Sequence, residues 1–163
     1  QYPINIPLFD KLLDDRSKLK KIINKNCNIL FLEGWCCGSS EIPKNYLYKN
    51  INRLEKVKDS KFVWRNFYNS KLKKEYKKLF GLFDEFIFMK TSSFDNVFNW
   101  RLKQEKNNQS KNKNAKKMLP NEIKLFVQHY EKISKWMMKD LNKKANIVIK
   151  IEKNHRISSI NFN

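Results

Sequence analysis

Glu33 closes an apolar run, Asn28-Ile29-Leu30-Phe31-Leu32, and is followed by Gly34-Trp35. A carboxylate at the end of a buried strand suits a hard, oxygen-seeking cation; its plainer use is a hydrogen bond to a neighbouring loop. Arg101 and Gln104 lie one helical turn apart, just ahead of a Lys/Asn-rich stretch, and so share a helix face. Asp10, Lys11 and Arg16 bring an acid and two cations together. A cation there can hold an acidic substrate and the acid can orient hydroxyls, although Asp10 also reads as the cap of a following helix. Asn52, Glu55, Arg65 and Asn69 are polar positions among Leu and Phe at helical spacing, a pattern most often solvated or capping. Cys36 and Cys37 follow the apolar run with no base beside them, which argues against a catalytic thiol. His129 falls within an amphipathic helix and reads as structural, and His155 reads as a surface residue.

Several chemistries are excluded outright. Gly34, Gly38 and Gly81 cannot be arranged into G-x-x-x-x-G-K-[ST] or G-x-G-x-x-G, so no phosphate-cradling loop of either kind is present in these 163 residues. Adjacent Cys36 and Cys37 with only Cys27 besides make no disulfide framework, and two histidines with three cysteines show no zinc spacing. No stretch approaches the length of a membrane span, and the first residues do not read as a signal peptide. The expectation is a soluble, cytoplasmic chain in a reducing compartment.

The elements that must position these residues follow from periodicity. Leu12, Leu13, Leu19, Ile22 and Ile23 predict a helix over 9–25, and the apolar run at 28–35 predicts a strand buried on both faces. Leu47, Ile51 and Leu54 predict a helix over 46–58, and Phe62 to Phe80 a longer one that stops at Gly81. Residues 85–90 read as a strand. Ser93 caps a helix carrying Phe94, Val97, Phe98, Trp100 and Leu102, and Pro120 begins another that runs to about Leu141. Residues 147–151 form a further strand, followed by a hairpin arm over 156–162. Strands alternating with helices predict one α/β domain with a parallel sheet, and 103–118 a mobile Lys/Asn-rich segment.

The formal net charge of +19 divides into 30 Lys and 5 Arg, accompanied by 21 Asn. Specific nucleic-acid recognition favours the planar fork of Arg. Lys and Asn rising together instead suggest A/T-rich codon usage, so nucleic acid is disfavoured as the partner.

A series of fragments resembles the D-glycerate 3-kinase branch of the P-loop kinases, relatives of uridine kinase and phosphoribulokinase. They are Ile6-Pro7-Leu8-Phe9-Asp10-Lys11, Asp14-Asp15-Arg16, Leu32-Glu33-Gly34-Trp35-Cys36, Asn52-Arg53-Leu54-Glu55, Asp59, Trp64-Arg65, Asn69, Leu72, Tyr76, Leu79-Phe80, Asp84, Ser93 to Glu105 and Phe126-Val127-x-x-Tyr130. The resemblance implies a P-loop kinase-like α/β sheet with flanking helices, lacking its first strand, Walker A loop and following unit. The chain then reads as the C-terminal portion of such a domain.

The resemblance also implies transfer of the ATP γ-phosphoryl group to a hydroxyl, with Mg²⁺. It assigns Glu33 to the metal through water, and Arg101 with Gln104 to a lid over the phosphates. Asp10, Lys11, Arg16, Trp35, Asn52, Glu55, Arg65 and Asn69 fall on the acceptor side, which takes a small hydroxylated compound, acidic by the basic charge. The missing strand would leave a gap in the sheet, explained by a complementary N-terminal polypeptide, by truncation of a longer chain or by a rearranged sheet, with self-association as a further way to cover the strand edges. Without the loop the chain is expected to be inactive alone. A degenerate, non-catalytic assembly module and a basic nucleic-acid-binding protein are the competing readings.

Overall fold

The computed structural model describes residues 3–10, 15–111 and 118–163, with the backbone alone for 108–111. It divides into two units, residues 1–34 and 35–163. In the first, β1 (Ile4–Asp10) and β2 (Asp15–Ile23) form an antiparallel hairpin running from Ile4 opposite Ile23 to Asp10 opposite Asp15, with an irregularity between Pro7 and Phe9. The helix expected over 9–25 is therefore absent from the described part of that span. Only three apolar residues interrupt its basic stretch after Ser17, and β-branched Ile4, Ile6, Ile22 and Ile23 favour a pleated pair that satisfies its own backbone.

The strand expected over 28–35 does not form either. Ile29, Leu30 and Phe31 are 70%, 86% and 80% exposed. A strand needs a ladder partner, and among the described residues none pairs with this run. Apolar sequence alone could not provide one.

The second unit follows its periodicity closely. Its sheet has the order β3 (Ile87–Thr91), β4 (Ile147–Ile151), β5 (Ile157–Phe162). β3 and β4 run parallel with Phe88 beside Val148, while β5 returns antiparallel, so the expected parallel sheet is a mixed one. α6 (Pro120–Lys144) begins with Pro120 at its first turn and buries Ile123, Val127, Ile133, Met137 and Leu141 along one stripe. Ile133, Met137 and Leu141 join Ile42, Leu47, Leu72, Phe88, Ala145 and Val148 in the core. On the opposite face of the sheet Ile87, Met89, Ile160 and Phe162 remain exposed.

Shorter helices fill the connection. α1 (Lys44–Leu47) and α2 (Arg53–Lys58) occupy the span read as one helix. α3 (Val63–Lys71) continues through a π-helical turn, Leu72–Tyr76, into α4 (Lys77–Phe80), which stops at Gly81 as anticipated. α5 (Asp95–Lys111) starts where the Ser93 hydroxyl accepts the Asp95 N–H at 3.2 Å. The first part of the 103–118 segment thus continues α5, and residues 112–117 lie outside the described residues. Gly38, at φ +78°, lies where a Cβ would enter the Phe86 ring, which fixes the tight turn after Trp35.

Candidate functional site

The helical polar residues converge on an interior ion network. Asn52 caps α2 by accepting the Glu55 N–H at 2.9 Å, and its amide donates to the Gln128 carbonyl and the Glu131 carboxylate of α6. Glu55, 6% exposed, accepts the Ile51 N–H at 2.9 Å and pairs with Lys132 Nζ at 3.3 Å and Arg65 Nη1 at 3.8 Å. Arg65 is 1% exposed. Its guanidinium binds the Asp59 carboxylate at 2.8 Å and donates to the carbonyls of Leu47, Glu55 and Asp59. Asn69 clasps the backbone of Ile42, accepting its N–H at 2.7 Å and donating to its carbonyl at 3.0 Å.

These four residues, anticipated on the acceptor side, tie α2, α3, α6 and the backbone at Ile42 together. The sequence reading missed two partners. Lys132, 2% exposed, donates to the carbonyls of Tyr46 and Lys49 and stands 4.9 Å from the Tyr46 ring. Burial pushes its ammonium below its ordinary pKa, against the opposing pull of Glu55. Asp59 also accepts the N–H groups of Trp64 and Arg65. Burial would raise its pKa, but the Arg65 side chain and these two N–H groups together hold it below the ordinary 3.8.

A carboxylate depressed in the folded state adds stability that is complete above its unfolded pKa and lost as pH falls through the folded one. Thermal unfolding should therefore show Tm falling as pH drops below about 4, and Asp59→Asn should have a lower Tm at neutral pH and a shallower decline.

A separate aromatic cleft of about 370 Å³ is lined by Trp35, Trp64, Tyr68, Phe126, His129, Tyr130 and Ile133. The Trp35 indole N–H donates to Ser134 at 3.0 Å, and its ring meets Tyr130 edge-on at 4.8 Å. Burial pushes the Tyr68 hydroxyl well above its ordinary pKa, so it remains protonated. Arg101 reaches this region from α5. Its guanidinium lies 5.5 Å from the Phe126 ring, donates to Gln104 at 2.9 Å and pairs with Glu105 at 3.2 Å. Arg101, Gln104 and one wall of the cleft are thus brought together. Cys36 is pushed up by burial and by Cys37, the opposite of an activated thiol.

In residues 1–34, the hairpin register sets Asp10 opposite Asp15 and Arg16 opposite Phe9, so Asp10 and Arg16 share one end of the hairpin. Lys11 lies outside the described residues. Asp10 ends a strand and caps no helix. Glu33 is exposed in an irregular stretch. Among the described residues no group of three or more His, Cys, Asp or Glu side chains is placed to hold a metal ion. Nor is any described helix long and apolar enough to cross a membrane.

No protein-family model and no curated protein matches the chain. Solved structures do, and they share its mixed α/β fold. D-glycerate 3-kinase from Cryptococcus neoformans var. grubii serotype A superposes with a TM-score of 0.76 at 21% identity, over 98% of this chain and 60% of that one. The protein YGR205w superposes at 0.64, also at 21% identity, over 98% of this chain and 57% of its own. The resemblance read from the sequence fragments holds at the level of the fold. The chain spans about 60% of the length of these structures.

Proposed function

We propose that the chain is the acceptor-side and lid portion of an ATP-dependent small-molecule kinase of the D-glycerate 3-kinase type. It would act with a phosphate-cradling loop supplied by sequence outside these 163 residues. The observation that carries this reading is the superposition of 98% of the chain on D-glycerate 3-kinase. The position of Arg101 and Gln104 on α5 supports it, because a guanidinium there can meet charge developing on a transferring phosphoryl group.

ATP with Mg²⁺ would supply the γ-phosphoryl group. In such a transfer the bond from the γ-phosphorus to the oxygen bridging it to ADP would break as the bond to the acceptor oxygen forms. ADP would leave with that bridging oxygen, and the hydroxyl proton would pass to a base supplied with the phosphate loop. This chain's own contribution is to hold the acceptor, exclude water and bring Arg101 over the reacting centre.

The 163-residue chain alone should not phosphorylate glycerate from ATP. Turnover of a hydroxy acid, whether glycerate or a larger one, should appear when the chain is joined to the part of the Cryptococcus enzyme that the superposition leaves uncovered. A coupled ADP-release assay reads both. Brisk turnover by the chain alone would sink the idea of a borrowed phosphate loop, and an inert chimera with native circular dichroism would sink the kinase reading.

The second reading is a non-catalytic assembly module, favoured by the exposed Ile29, Leu30 and Phe31 and by the uncovered apolar face of the sheet. Mass in solution decides it, since a monodisperse monomer has left those surfaces without a partner.

A further inference from the structure

The cleft beside Arg101 has the wrong chemistry for a three-carbon hydroxy acid. Six of its seven lining side chains are aromatic, counting His129, and the seventh is Ile133. A small, fully polar molecule leaving water for such walls gives up hydrogen bonds that they do not replace. A planar ring gains instead, because flat faces and ring edges are already set at stacking and edge-on distances. Trp35 stands at 79° to Tyr130, Trp64 at 77° to Tyr68, and Phe126 lies 5.1 Å from Tyr130.

Two of the walls are open to solvent, with Trp35 46% and Trp64 58% exposed. The Trp35 ring is held by Ser134, so it meets a ligand already oriented. The volume of about 370 Å³ is in the range of small-molecule sites, and most of it would stay empty around glycerate. Charge complements shape. The Arg101 guanidinium lies 5.5 Å from the Phe126 ring, so an anionic group on a bound ring is drawn to this end.

We propose that the cleft between Trp35, Trp64, Phe126 and Tyr130 binds the ring of an aromatic hydroxy acid, with the carboxylate toward Arg101. As a statement about the phosphorylated acceptor this rests on the kinase reading; as a statement about a binding site it does not.

3-Phenyllactate and glycerate serve as probes of the 163-residue chain, followed by tryptophan fluorescence and calorimetry. 3-Phenyllactate should bind saturably and quench, and glycerate should do neither. Trp64→Ala should weaken 3-phenyllactate about tenfold, with native circular dichroism because Trp64 is mostly exposed. Trp100→Phe, outside the cleft, should leave affinity unchanged, and Arg101→Gln should weaken 3-phenyllactate but not its uncharged alcohol analogue.

The proposal is overturned if 3-phenyllactate does not bind, if Trp35→Ala and Trp64→Ala leave its affinity intact, or if glycerate binds equally well through the same tryptophans. The chimera separates the two readings. Saturable 3-phenyllactate binding without phosphoryl transfer to any acceptor keeps the cleft and counts against the kinase. Transfer to glycerate in a chain that does not bind 3-phenyllactate keeps the kinase and removes the cleft.

Discussion

Lys132→Met is expected to destabilise the fold by about 3–5 kcal/mol, the cost of breaking a buried ion pair by removing one partner. The side chains involved are interior: that of Lys132 is 3% exposed and that of Glu55 8%. Methionine has similar reach and fills the space, so packing changes little and the loss is electrostatic. Two further groups lose their donor, the carbonyls of Tyr46 and Lys49, bonded to Nζ at 3.0 and 2.6 Å. Glu55 keeps only the Ile51 N–H and the more distant Arg65. The double variant Glu55→Gln with Lys132→Met should recover about 1–2 kcal/mol, since the stranded carboxylate then becomes a neutral amide. Urea unfolding followed by circular dichroism measures both. A single-variant loss below about 1 kcal/mol would place the pair in the solvent-screened class and refute the interior network.

That network also marks where sequence reading stops. The polar positions Asn52, Glu55, Arg65 and Asn69 were visible as residues, because carboxylates, amides and a guanidinium stand out among Leu and Phe. Their direction was not visible. Lys132 adjoins Ile133 on the apolar stripe of α6, but in a chain with 30 lysines one more charge there carries no signal. Local rules worked where local interactions decide. Ser93 before α5, Pro120 at the start of α6 and Gly81 after α4 all mark helix ends that side-chain or backbone chemistry sets within one turn.

The rules failed where pairing decides. Residues 28–35 have the composition of a buried strand, yet a strand exists only against another, and the sequence of one segment says nothing about its partner's presence. The hairpin of β1 and β2 failed for a related reason. Leu19, Ile22 and Ile23 satisfy helical spacing, and the competing register with Ile4 to Asp10 is a nonlocal fact. The cleft was half legible. Trp35, Trp64, Phe126 and Tyr130 all belonged to the fragments carrying the family resemblance, but they are spread over 96 positions of sequence and only the tertiary fold gathers them at one cleft.

With glycerate as acceptor, Arg101→Ala should lower kcat of the chimera about 10³-fold, within the range for arginines that stabilise phosphoryl-transfer transition states, with KM for glycerate changed far less. The argument is geometric. Arg101 is only a quarter exposed, paired with Glu105 at 3.2 Å and bonded to Gln104 at 2.9 Å, so its guanidinium is held in place before any substrate arrives. Glu105 is itself buried and accepts the Met118 N–H, which ties the middle of α5 to the residues that precede α6. Glu105→Gln therefore removes the charge that orients Arg101 while keeping a hydrogen-bond acceptor. It should cost about tenfold in kcat where Arg101→Ala costs far more. Arg101→Lys should recover little, because an ammonium cannot bond the amide, the carboxylate and a phosphoryl oxygen at once from one planar fork. If Arg101 serves only to anchor α5, Arg101→Ala will lower Tm and leave kcat at full value, and the lid assignment fails. If both kcat and KM move together with an unchanged Tm, the guanidinium binds the acceptor's carboxylate in the ground state as well as the phosphoryl group in the transition state. An aromatic hydroxy acid in the cleft would produce that second pattern, because its carboxylate and the phosphoryl group would then meet the same side chain.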